Sequence, residues 1–98
     1  IRRILMLRRS GKASVIRAMF KTFPQRRFLL VGDSGEADPE IYGAMARRFP
    51  QQIAGILIRQ IDGAKNSPTR YAKAFRRVPY DAVRLYRDAG ELADVRLA

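Results

Sequence analysis

Short apolar runs set tight limits on what this chain can become: ILML (Ile4–Leu7), RRFLLV ending at Val31, and IAGILIRQI (Ile53–Ile61). Each is apolar at nearly every core position rather than at every second one, the pattern of strands covered on both faces. Between them lie stretches with helical period. Val15, Ile16, Met19, Phe20 and Phe23 form one stripe, and Ile41, Met45 and Phe49 share another face. Pro24 and Pro50 stop these helices. Strands alternating with helices of about a dozen residues predict βαβ units, a parallel sheet and right-handed crossovers. A short helix is expected in TRYAKAFRR (69–77), a fourth strand in AVRLY (Ala82–Tyr86) and a closing helix in AGELADVRLA. The expected fold is α/β, a three-layer Rossmann-like parallel sheet of about four strands with helices on both faces, forming a single partial domain over residues 1–98.

Composition narrows the chemistry. At 47% hydrophobic, 98 residues suffice for one small packed domain. There is no Cys and no His, which excludes disulfides, thiolate or imidazole metal sites and histidine-based acid/base catalysis. No apolar stretch is long enough to span a bilayer. The opening IRRILMLRR is too short for a secretory signal, and the initial Ile leads to the expectation of a fragment of a longer polypeptide. Net charge is +11, and nine basic residues precede Asp33, the first acid. Such a field attracts nucleic acid, phosphorylated metabolites or anionic lipid without choosing among them.

Against that background, VGDSGEADPE (31–40) stands out, because four of the nine carboxylates (Asp33, Glu36, Asp38 and Glu40) fall within it. One reading is a turn followed by a well-started helix, with Asp38 as cap, Pro39 in the first turn and Glu40 at the positive end of the dipole. The other is a magnesium-assisted phosphate site. Asp33 at a strand end and Asp38 at a helix start can fold together, with Gly32 and Gly35 permitting tight turns. Paired carboxylates repel unless a cation neutralises them, and magnesium takes one or two carboxylates plus water and phosphate oxygens. Lys12, at the start of the first helix, could face the same edge and neutralise a phosphoryl group. The alternative for Lys12 is an ordinary solvated lysine.

Lys12 with Ile16, the string FPQRRFLLVGDSGEADPEIY and the later ILIRQI resemble the later part of a phosphatase domain. This is the phosphatidate phosphatase family of the actin-patch-associated type, with bacterial relatives, in the haloacid-dehalogenase-like superfamily. The resemblance runs over about residues 3 to 90 and is weaker after Ile61. It implies that Lys12 stabilises a phosphorylated intermediate and that Asp33 and Asp38 hold Mg2+. It also implies that Ser34 and Gly35 shape the loop and that Arg59 contacts substrate phosphate. The family's Asp-x-Asp motif, which carries the nucleophile and the acid/base, occurs nowhere in this sequence. The resemblance places that motif and the Ser/Thr motif N-terminal to Ile1, as Ser10 lies too close to Lys12 for the latter role. In a complete domain the aspartate would attack phosphorus and water would hydrolyse the aspartyl phosphate.

The expected partners are therefore a phosphorylated substrate, with anionic lipid and a membrane surface as its setting, and the missing N-terminal half of the domain or a second copy. The expected location is cytoplasmic, at the membrane periphery. Two alternatives stay open: a non-catalytic degenerate relative, and a nucleic-acid-binding module in which Tyr71, Phe75 and Tyr80 interleave with Arg70, Lys73, Arg76 and Arg77.

Overall fold

The computed structural model describes residues 4–8 and 13–95. Strands β1 (Ile4–Arg8), β2 (Arg27–Asp33), β3 (Ile53–Arg59) and β4 (Val83–Tyr86) form one sheet in the order β1-β2-β3-β4. Every neighbouring pair is parallel. The crossovers carry α1 (Ala13–Thr22), α2 (Asp38–Arg48) and α3 (Pro68–Ala74). The α/β parallel sheet expected from the apolar runs is thus present.

Helices on both faces, however, are not found among the described residues. A strand order that steps one way, with right-handed crossovers, sends every helix to the same side. Ile16 and Phe20 of α1, Tyr42, Met45 and Ala46 of α2, and Tyr71 of α3 accordingly join Phe28, Leu30, Ile56 and Ile58 in one core. Phe20 is its aromatic centre, 4.8 Å from Phe28 and 5.0 Å from Phe49 between ring centroids. Met6, Leu29, Val31 and Leu57 alternate onto the opposite face, where Met6 is 52% exposed and Leu29 is buried.

The segment ends carry specific partners. Gln52 donates from Nε2 to the carbonyls of Phe20, Phe23 and Arg26, taking up acceptors left by the end of α1. Helices α2 and α3 approach closely at Gly43, where a Cβ would overlap the Ala74 carbonyl. Arg77 follows α3 with φ 62°, in the left-handed region. The expected closing helix is reduced to a 3-10 turn, Ala89–Leu92, capped by Asp88 and Glu91. With Gly90 inside it and none of its residues buried, nothing holds a longer helix there.

Candidate functional site at the carboxyl edge of the sheet

In an open parallel sheet, ligands bind beyond the carboxyl ends of the strands. That edge holds Asp33, the last residue of β2, and Arg59, the last of β3 and its register partner. The chain then turns through residues 34–37 and enters α2 at Asp38. Lys12 and Ser10 lie outside the described residues.

Asp33 and Asp38 are brought together. The Asp33 N–H donates to Asp38 Oδ2 at 2.9 Å, and Asp33 Oδ1 accepts from the Gly35 N–H at 2.9 Å. Asp38 is only 4% exposed, so its carboxylate stands in a medium where charge is costly unless hydrogen-bonded or neutralised. It is not the helix cap. Ala37 occupies that position without a side-chain bond, and Asp38 reaches back to the strand instead. The role of Gly32 also differs from the one expected. Gly63 alone among the described glycines has positive φ. Gly32 matters because a Cβ there would overlap the Asp38 carboxylate, and Gly35 because a Cβ would come within 3.2 Å of Asp33 Oδ1. Space, not backbone freedom, selects glycine at position 32, and at Gly35 the crowding is milder.

Ser34 is 3% exposed and ties the loop to the end of β3. Its N–H donates to the Arg59 carbonyl at 2.9 Å, and its Oγ accepts from the Ile61 N–H at 2.8 Å. The Arg59 side chain is exposed at the same edge.

The sequence pattern placed Arg70 only in the nucleic-acid alternative and missed its role at this edge. Its Nε and Nη2 grip the Glu40 carboxylate at 2.8 and 3.0 Å. Its Nη1 donates to the carbonyls of Ser34 (2.8 Å) and Lys65 (2.7 Å), and Nη2 also donates to that of Glu36 (2.8 Å). All five guanidinium N–H groups are used. One cation thereby pins the acidic loop, the start of α2 and the loop before α3. The hydrogen bond to Glu40 raises the Arg70 pKa against the opposing effect of burial, with Asp38 adding a smaller attraction. Glu40 and Arg70 are 30 positions apart, so no local pattern could have paired them.

Chemically, the edge offers two carboxylates, each accepting from a backbone N–H and linked through the Asp33 main chain, with Arg59 next to Asp33 in the strand register. No cluster of three or more acidic, thiol or imidazole ligands exists among the described residues. A closed all-protein metal cage is therefore not formed by them. Two carboxylates do suit magnesium, which completes its shell with water and phosphate oxygens.

Comparison with known proteins decides the family. Residues 1–60 match the family model described as phosphatidate phosphatase APP1, catalytic domain, which is more than half of the chain. The chain belongs to this family. Phosphatidate phosphatase APP1 of Saccharomyces cerevisiae is 50% identical over 48 residues, a segment spanning 49% of this chain and 8% of the yeast protein. An uncharacterized protein of Schizosaccharomyces pombe is 40% identical over 50 residues, or 51% of this chain and 8% of that protein. The matched segment is thus a small part of each relative. No solved structure matches the chain.

Proposed function

We propose that this chain is the C-terminal part of a magnesium-dependent phosphatase domain that acts on a phosphomonoester, phosphatidate being the substrate suggested by the yeast relative. We also assign it to the haloacid-dehalogenase-like superfamily, a reading supported by the parallel sheet with acids at its carboxyl edge. The observation that carries the proposal is the junction of Asp33 and Asp38 through the Asp33 N–H, within the segment that matches the family.

In this reading Asp33 and Asp38 would hold Mg2+. When bound, the ion offsets negative charge on the phosphoryl group. Ser34 keeps the loop against the end of β3, the Gly35 N–H holds the Asp33 carboxylate, and Arg70 keeps the loop against α3. Arg59, exposed on the same edge, would contact substrate phosphate, and Lys12 would neutralise the phosphoryl charge. No Asp-x-Asp motif is present in the sequence, so the 98 residues alone are predicted to release no phosphate.

The test is phosphate release from phosphatidate by the full-length protein, with and without Mg2+. Magnesium-dependent release that falls by at least about a hundredfold in Asp33→Asn is expected. Unchanged release in that variant sinks the assignment. The rival nucleic-acid reading has lost part of its support. Tyr71 is buried and donates its hydroxyl to Asn66 at 2.7 Å, and Phe75 packs against the core, which leaves Tyr80 as the exposed ring of the three.

A further inference from the structure

A groove of about 590 Å3 lies between α2 and α3, and Glu40 and Arg70 are part of its wall. Its size lies within the span of small-molecule sites, about 300–1,000 Å3. Arg47, Lys65, Lys73 and Arg76 line it, with the hydroxyls of Ser67 and Thr69. Glu40 is the single acid in the lining, and Arg70 already holds both of its oxygens.

The four lining cations other than Arg70 form no ion pair with a carboxylate among the described residues. Outside the groove, Arg84 pairs with Asp94 and Arg87 with Asp62. Arg47 is also held in place. Its Nη1 donates to the carbonyls of Ala74 (2.9 Å) and Arg76 (3.0 Å), across the contact that Gly43 allows. Burial, then repulsion from Arg76 and Arg77, lowers the Arg47 pKa. Uncompensated positive charge is thus concentrated in a concave site, where the field is strongest.

We propose that this groove binds a phosphate-bearing group distinct from any held at Asp33 and Asp38. Its dimensions suit one small phosphorylated molecule or one lipid headgroup. No aromatic side chain lines it, so it lacks the stacking platform that a single-stranded nucleic acid uses. The proposal does not depend on catalysis at the acidic loop.

The test compares the full-length protein with Lys65→Ala/Lys73→Ala and with Lys65→Arg/Lys73→Arg. Both lysines are exposed, and unchanged circular dichroism checks folding. The probes are glycerol 3-phosphate by calorimetric titration, and neutral vesicles with or without phosphatidate by co-sedimentation. The alanine pair should weaken binding to glycerol 3-phosphate or to phosphatidate vesicles by roughly tenfold or more, while the arginine pair retains it. Loss for both probes identifies the phosphate itself as the ligand, and loss for vesicles alone identifies the lipid headgroup. Both measurements are made in excess EDTA, which removes Mg2+ from Asp33 and Asp38, so that the lysine-dependent signal reports the groove; a signal abolished by EDTA would overturn the proposal. Equal binding by wild type and the alanine pair overturns the proposal. So does a loss confined to a single-stranded RNA oligonucleotide, titrated as a third probe.

Discussion

Arg70 uses its whole donor set on the surroundings of the acidic loop, and that single side chain makes the sharpest residue-scale prediction. A lysine has no planar fork and cannot reach five acceptors. Arg70→Lys should destabilise the protein by about 1–3 kcal/mol, seen as a lower midpoint in denaturant unfolding. Glu40→Gln should cost less, because the Glu40 side chain is 46% exposed and solvent screens the pair. The same pair has a pH signature. The hydrogen bond from Arg70 is the largest cause holding the Glu40 carboxyl below its usual value of 4.5. Its folded pKa is depressed, so its stabilisation is complete above pH 4.5 and is lost as pH falls through the lowered folded value. Unfolding midpoints measured from neutral to acid pH should show that loss in wild type, and Glu40→Gln should reduce it. At Gly32, a Cβ would sit 2.7 Å from Asp38 Cγ. Gly32→Ala should therefore displace Asp38 and lower magnesium-dependent activity, even though alanine costs less backbone entropy than glycine.

Among the elements, α2 decides the site. Its first residue supplies the buried carboxylate, its third supplies the partner of Arg70, and its sixth, Gly43, lets α3 come close. Gly43→Ala should force the two helices apart and cost about 1–3 kcal/mol, measurable by thermal unfolding. The gain in helix propensity, about 1 kcal/mol, offsets only part of this. The sequence made α2 itself legible through Pro39, Pro50 and the Ile41, Met45 and Phe49 spacing. It did not make the function of Asp38 within α2 legible. A helix-start aspartate reads as a cap, and only the three-dimensional approach of β2 redirects it to the Asp33 N–H. The strands were legible because continuous apolar runs have few other uses. The last element was not: AGELADVRLA has helix-forming residues, yet its Ala89–Leu92 segment buries none of them and stays a 3-10 turn.

At the scale of the whole molecule, the described helices lie on one side of the sheet and the radius of gyration is 12.7 Å, close to the value for a compact domain of about 100 residues. Its layer arrangement could not be read from strand composition, since apolar runs indicate coverage of both faces without saying which segment provides it. Strand order fixed the side on which the three helices lie. The excess positive charge gathers in part along the groove between α2 and α3, while the acids collect at the carboxyl edge. These two regions share the Arg70–Glu40 pair as a common wall. The proposed magnesium site rests on Asp33 and Asp38 at the carboxyl edge. In calorimetric titration of Mg2+ into the full-length protein, Asp33→Asn and Asp38→Asn should each weaken binding by about tenfold or more, and equal affinity in wild type and both variants would rule the site out.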